Sequence, residues 1–170
     1  MTSTHSQEPK KNTPIRKPST PPASHQSRNH QSTAQSQNRS EDITAMIIQQ
    51  IDQLTDGFSK YQIRTLVEHA EKFGRYLEEN KLKTNQVRKF LDAVNRIKAD
   101  LPENGDFSEI ETEIVLLKPK LAYAAARQPS VEALNKVMSA AIDKVRSIDD
   151  FHRLVQFLES TIAYHKASGG

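Results

Sequence analysis

Residues 149–166, DDFHRLVQFLESTIAYHK, are the stretch that decides the fold. At about 100° of helical phase per residue, one side of this segment is a continuous apolar stripe. That stripe consists of Phe151, Leu154, Leu158 and Ile162. Phe157 and Tyr164, seven residues apart, form a second apolar edge. A helix that is apolar on two sides either lies at the centre of its bundle or is covered by a partner. Both readings stay open, and Phe157 and Tyr164 are candidate protein-interface residues.

Outward from this segment, apolar residues recur at helical spacing from Ser40 onward, without sustained strand-like alternation. The spacing predicts further helices at about 42–55, 59–80, 84–100, 109–127 and 131–146. Their connections are short, which makes neighbouring helices roughly antiparallel. The predicted fold class is all-α, a compact bundle of five to six helices.

Polar residues and proline mark the expected helix boundaries. Ser59 with Gln62, and Ser108 with Glu111, have capping-box spacing, and Thr84 is a plausible N-cap. In the 109–127 segment, Pro119 removes one backbone donor and predicts a kink.

Residues 1–40 differ sharply from the rest. They hold five of the eight prolines, thirteen Ser or Thr, and only four apolar residues. So few apolar groups cannot offset the entropy of ordering, so this segment is predicted to be a disordered tail. The remaining residues, 41–170, are long enough to form one core and are predicted to be one helical domain.

Charge divides at the same place. Residues 1–40 carry six of the 24 Lys and Arg and one of the 21 acids, a net charge of +5, which leaves −2 for residues 41–170. The basic pI is therefore no evidence of a basic folded domain, and a nucleic-acid site must depend on local clusters. The scattered bases of the tail favour a solvated linker. A localisation element or a non-specific RNA-binding arm are the alternatives.

Residue types needed for catalysis are scarce. The chain has no cysteine, no G-x-G-x-x-G motif and no phosphate-binding loop. His69 lies between acids that we expect on a solvated helix face. Asp149, Asp150 and His152 could suggest metal ligands, but acids at a helix N-terminus are better explained by the helix dipole. We expect no enzyme, no metal and no cofactor.

No stretch approaches 18 continuous apolar residues, and the N-terminus has no apolar signal-peptide region. The expectation is a cytoplasmic protein without membrane contact.

The 84–100 helix carries a small basic cluster. Arg88 and Lys89 lie well away from its apolar stripe, and Lys83 lies just before the helix N-terminus, where free amides favour phosphate. The competing interpretation is an ordinary charged surface with Arg88 paired to Asp92.

The 109–127 helix places an aromatic residue between two bases. Lys120, Tyr123 and Arg127 are spaced i, i+3 and i+7. Such a group can follow an RNA backbone or stack on a base. It can equally form the rim of a protein interface. From the residues alone, burial of Tyr123 inside a central helix is the favoured alternative.

Three blocks together resemble one known family. Residues 83–90, KTNQVRKF, resemble its Thr-Ser-Gln-Ile-Arg-type helix start. Residues 116–127, LLKPKLAYAAAR, resemble its Leu-x-Pro-Lys-x-x-Tyr-x-x-x-Arg block, and residues 157–170, FLESTIAYHKASGG, its Glu-x-x-x-Ala-Tyr-x-Lys ending. The family is the small helical subunit of the Csm complex, the type III-A CRISPR effector, and the resemblance covers about 59–170.

The resemblance implies a non-enzymatic subunit that stacks in several copies along the crRNA and target RNA. Its implied partners are these RNAs, the Csm backbone subunits, the large cyclase/nuclease subunit and further copies of itself. It also implies candidate RNA contacts, which are Lys83, Arg88, Lys89, Lys120 and Arg127. Two positions depart from the family pattern: Asn85 replaces a small hydroxyl residue, and Ala126 stands where many relatives have Gly. The alternative function is a protein–protein spacer with little RNA contact.

Overall fold

A computed structural model describes residues 43–102 and 105–170. Within these residues the secondary structure is helical and no β-strand occurs. The helices are α1 (43–52), α2 (Ile63–Glu79), α3 (Thr84–Ala99), α4 (Ser108–Val115), α5 (Leu117–Arg127), α6 (Glu132–Ile142) and α7 (Ile148–Ala167). Short 3-10 turns, Phe58–Lys60 and Pro129–Val131, precede α2 and α6. The predicted all-α bundle is confirmed. The predicted tail, residues 1–40, lies outside the described residues.

Helix α7 lies at the centre of the bundle. It packs along α2 and also contacts α3 and the 3-10 turn at Phe58–Lys60. At the α2–α7 crossing the two backbones approach so closely that a Cβ on Gly74 would lie 2.7 Å from the Thr161 carbonyl oxygen. Phe151, Leu154, Leu158 and Phe157 of the 149–166 segment are thus buried by the chain itself, while Ile162 and Tyr164 are half-buried.

The second apolar edge of α7 contributes to an aromatic core. Phe157 is fully buried, and its ring stacks on that of Phe73 with centroids 6.5 Å apart. Tyr61 and Phe58 surround it at 6.1 and 6.2 Å. The expectation that Phe157 faces a partner is thus wrong, because Phe73 and the Phe58–Tyr61 segment occupy that side. Tyr164 is half-buried against the same core, and its interface role stays a prediction.

The predicted capping boxes do not form. Ser59 lies in the 3-10 turn, where its amide donates to the Asp150 carboxylate at 2.6 Å, and Gln62 is the N-cap of α2. Ser108 is the first helical residue of α4, without a side-chain cap bond at its N-cap. Thr84 is likewise the first helical residue of α3 and not its N-cap.

The predicted 109–127 helix is divided into α4 and α5 at Leu116, whose ψ of −7° departs from the helical value. In an uninterrupted helix, the ring of Pro119 would clash with the carbonyl group four residues earlier, that of Val115. The interruption therefore lies where the proline requires it. Beyond it, α5 packs against α3 and α6, which fixes which side of α5 faces outward.

Candidate nucleic-acid interface

The basic cluster of α3 lies on its outer side. Val87 and Phe90 are buried against the core, and this orientation exposes Arg88 and Lys89. Lys83, also exposed, is the N-cap residue, with extended backbone (φ −75°, ψ 131°). All three predicted basic residues are therefore accessible from solution.

The N-terminus of α3 adds a favourable potential to these side chains. Its first turn contains no acidic residue, and the N-cap makes no side-chain bond to the first-turn amides. The positive end of the helix dipole therefore lies beside Lys83 and about one turn before Arg88 and Lys89, so that side chains and backbone act on an anion with the same sign.

The competing pairing of Arg88 with Asp92 does not occur among the described residues. The ion pairs found there are Arg75–Glu71, Lys98–Glu159, Lys118–Asp143 and Lys136–Glu132. None of the five candidate RNA contacts takes part in them. Their charges are thus not neutralised by a carboxylate of the described chain.

The second candidate group lies on the outer side of α5. Leu117, Leu121 and Ala125 face the core, while Lys120 and Arg127 are exposed. Tyr123 is 65 % exposed, so its predicted burial is wrong. The signal was present in the sequence. Ile110, Ile114, Leu117 and Leu121 form a buried apolar stripe, here called the Ile110–Leu121 stripe, and at 100° per residue Tyr123 lies about 150° from it.

Tyr123 and Arg127 form a pair one helical turn apart. The Arg127 Nη1 donates a hydrogen bond to the Tyr123 hydroxyl at 2.9 Å. The guanidinium carbon lies 5.6 Å from the ring centroid, within cation–π distance. Among the described residues, Arg127 is the one candidate RNA contact whose side chain forms a hydrogen bond or ring contact with another side chain. The structure packs α3 against α5, but no such contact joins their basic side chains.

Two of the residues considered for catalysis or metal binding, His69 and Asp150, are engaged in other contacts. His69 Nδ1 lies 2.6 Å from the hydroxyl of the buried Tyr61, so His69 is not on a fully solvated face. Burial, and then the charge of Lys72, lowers the pKa of His69, while Glu68 acts in the opposite direction. Asp150 is buried and accepts hydrogen bonds from the amides of Ser59 and Arg146. Within the described ranges, no three His, Asp or Glu residues are grouped so as to hold a metal ion.

None of the described helices combines the length and apolar character that a membrane crossing requires.

The fold and these surface positions together define a small helical-bundle protein whose candidate binding residues lie on two packed helices, α3 and α5. The family model of Csm2, type III-A, matches residues 60–170, and the chain belongs to this family of small Csm subunits of the type III-A CRISPR complex. All three sequence blocks lie within the matched residues, so the family resemblance is confirmed. No curated protein and no solved structure matches the chain. Family membership implies a small structural subunit that assembles with other Csm subunits and crRNA.

Proposed function

We propose that this protein lies along the crRNA–target RNA duplex of a cytoplasmic type III-A complex and stabilises it through phosphate contacts that do not read base sequence. The proposed contacts are Lys83, Arg88, Lys89, Lys120 and Arg127. Several copies stack beside the Csm backbone subunits and approach the large cyclase/nuclease subunit. Cleavage of RNA belongs to those other subunits.

The observation that carries this proposal is the position of Arg88 and Arg127. Both occupy arginine positions of the family-like blocks, both are exposed, and neither belongs to an ion pair among the described residues. A guanidinium group offers five donors in a planar fork that suits a phosphate. Contacts to phosphate position a protein on nucleic acid without specifying sequence.

The affinity of one subunit for RNA should be modest. Residues 41–170 carry a net charge of −2, so attraction is confined to the outer sides of α3 and α5. When the backbone subunits hold several copies in a row, binding of RNA by one copy makes binding by the next an intramolecular step. The affinity of the whole complex for RNA is therefore higher than that of one subunit. RNA binding should therefore be measured in the assembled complex.

The test compares Arg88→Ala and Arg127→Ala with Arg64→Ala, a matched control at an exposed arginine of α2. Each of the first two should weaken binding of the assembled complex to target RNA by about 1 kcal/mol per copy, roughly fivefold, because a charge-assisted contact is lost. The loss should be equal for unrelated guide–target pairs. Dissociation constants and melting temperatures are measured for all three variants.

Arg64→Ala should bind as the wild type does, and none of the three melting temperatures should change appreciably, because exposed side chains contribute little to folding. If Arg88→Ala and Arg127→Ala unfold while still binding RNA normally, those arginines are structural and the proposal is wrong.

A second candidate function, a protein–protein spacer, is favoured by a different feature. Val115 and Leu116, at the junction of α4 and α5, are 52 % and 49 % exposed. Adjoining exposed apolar side chains can form part of a protein contact. A pure spacer should give no RNA crosslinks through residues 83–89 or 120–127 in the assembled complex.

A further inference from the structure

The ring of Tyr123 is not part of the core formed by the described residues. At 65 % it is the most exposed of the large hydrophobic side chains in the described chain, although aromatic residues are usually buried for their large apolar area. It lies on the side of α5 opposite Leu117 and Leu121, so no rearrangement of the core would cover it. Within residues 43–102 and 105–170, no side chain packs over this ring from the core, so it is available to a ligand or partner.

The surroundings of the ring leave it open to a flat ligand. Ala122 and Ala126, its exposed neighbours on α5, carry only a methyl group each. A planar group can therefore approach the ring past these two residues, on the face that the Arg127 guanidinium leaves free. The ring is also restrained, because Arg127 holds the hydroxyl at 2.9 Å. A restrained aromatic loses little conformational entropy when a ligand stacks on it.

The charge around the ring selects the ligand. Helix α5 contains no acidic residue, whereas Lys120 precedes the ring by three residues and Arg127 follows it by four. Lys118 is engaged by Asp143, the C-cap residue of α6, which leaves Lys120 and Arg127 as the cations of α5 without an ion pair among the described residues. An aromatic platform flanked by cations on both sides matches a nucleotide, whose base stacks while the adjoining phosphates meet the charges.

We infer that Tyr123 is a stacking platform for an unpaired RNA base, with Lys120 and Arg127 contacting the phosphates on either side of that nucleotide. The inference rests on the proposed function, since it assumes that RNA runs along α5, and it adds a base contact to a surface otherwise proposed to bind phosphates alone. Stacking is tolerant of base identity because every base has a π-face, so the contact stays independent of sequence.

The experiment uses the assembled complex with bound target RNA, irradiated with ultraviolet light and digested with trypsin. Cleavage after Lys120 and Arg127 releases residues 121–127, LAYAAAR, in which Tyr123 is the single aromatic. Mass spectrometry should find a nucleotide adduct on Tyr123 in this peptide. Adducts on peptides of other subunits in the same sample show that the irradiation worked.

Three variants distinguish the contribution of the aromatic ring to RNA binding from those of the hydroxyl group and of side-chain volume. Tyr123→Phe keeps the ring and should hold target RNA within about threefold of the wild type. Tyr123→Leu and Tyr123→Ala remove the aromatic face and should weaken binding about tenfold, within the range for loss of one base–aromatic stack. Tyr123→Leu should also abolish the adduct on residues 121–127.

Several results would overturn the inference. Residues 121–127 without an adduct, while other subunits are crosslinked, would show that no base stacks there. An adduct that persists in Tyr123→Leu would place the contact on another residue. A Tyr123→Leu complex that binds RNA normally would show that the ring adds nothing to RNA affinity, and one that loses a protein subunit would identify a protein contact instead. The proposed function fails only if Arg88→Ala and Arg127→Ala bind RNA normally. The results above can occur while those two variants still bind weakly, so failure of the stacking inference is distinguishable from failure of the proposed function.

Discussion

At the scale of single residues, the carboxylate of Asp150 links distant parts of the chain. It accepts hydrogen bonds from the Ser59 amide at 2.6 Å and the Arg146 amide at 3.0 Å, and it packs against Gly57, whose φ of 95° few other residues adopt. Burial by itself would raise the pKa of Asp150. The hydrogen bonds from Ser59, Arg146 and Ser147 outweigh burial and lower that pKa. The ionised carboxylate is therefore the form that the fold stabilises.

This arrangement predicts a pH-dependent loss of stability. A group whose pKa is lower in the folded state stabilises the protein above its unfolded pKa, about 3.9, and the contribution is lost as pH falls through the folded value. Asp150→Asn should lower the free energy of unfolding at pH 7 by roughly 2 kcal/mol, because charge-assisted bonds to two partly buried amides weaken. Chemical denaturation between pH 2 and pH 7 should show a smaller pH dependence for the variant than for the wild type.

Asp149→Asn is the matched control. It removes the same charge from the neighbouring residue of α7, but Asp149 is exposed and contributes mainly to the helix dipole, by 1 kcal/mol or less. Equal losses from the two variants would mean that the hydrogen bonds of Asp150 contribute nothing beyond its charge.

The sequence predicted part of this role. Their position predicts Asp149 and Asp150 at the N-terminus of the last helix, and both lie in the first turn of α7, with Ser147 as N-cap. The contact with Ser59 was not predictable, because it joins residues 91 apart and depends on how the Phe58–Lys60 turn lies on α7. The Ser59–Gln62 spacing matched a local capping motif, yet the long-range bond prevailed.

At the scale of elements, the crossing of α2 and α7 depends on one glycine. A Cβ on Gly74 would lie 2.7 Å from both the His165 amide nitrogen and the Thr161 carbonyl oxygen. These are backbone atoms of a central helix and cannot rotate away. The absence of a side chain at position 74 therefore sets the distance between the two helices.

Gly74→Ala should accordingly destabilise the protein. Alanine favours the helix over glycine by about 1 kcal/mol per residue, but this gain does not offset the clash. Separating α2 from α7 disturbs the packing of Phe73 on Phe157 as well, so we expect a net loss of roughly 2 kcal/mol in the free energy of unfolding. Denaturant titration measures it.

Lys72→Ala, on the exposed side of α2, serves as the control and should change the unfolding free energy by no more than about 0.5 kcal/mol. A Gly74→Ala protein more stable than the wild type would show that the helices separate without cost.

Helix positions were more predictable than helix ends. Apolar spacing located the helical segments because burial on one side of a helix repeats along the chain. It did not reveal the division at Leu116, where the Ile110–Leu121 stripe continues in phase through the break. Ser108 and Thr84 are suitable caps by residue type, but each helix begins one residue earlier than capping by its side chain would require.

At the scale of the whole molecule, the candidate interface was predictable where helical phase alone decides exposure. Arg88 and Lys89 lie outside on α3 as their phase indicates. Helical phase could not decide whether the Phe157 edge faces the core or a partner. An edge buried by the chain itself and an edge buried by a partner protein show the same apolar periodicity. The packing of Phe73 and Tyr61 onto Phe157 decides it.

Charge distribution over the chain explains why few residues should govern RNA affinity. The excess of bases lies in residues 1–40, whereas residues 41–170 have a net charge of −2. Long-range attraction of RNA to the helical region is therefore weak, and binding depends on close contacts at the outer sides of α3 and α5. Each such contact releases counterions and gives a measurable salt dependence.

The most direct test of phosphate contact is the salt dependence of target-RNA affinity for the assembled complex, with wild type compared with the Arg88→Ala/Arg127→Ala double variant. Each lost contact should reduce the slope of log affinity against log salt by roughly 0.7 to 0.9 for every copy of the subunit on the RNA. We expect a shallower line for the double variant on every RNA sequence. Parallel lines for the two complexes would contradict the account, because they would mean that neither arginine meets a phosphate.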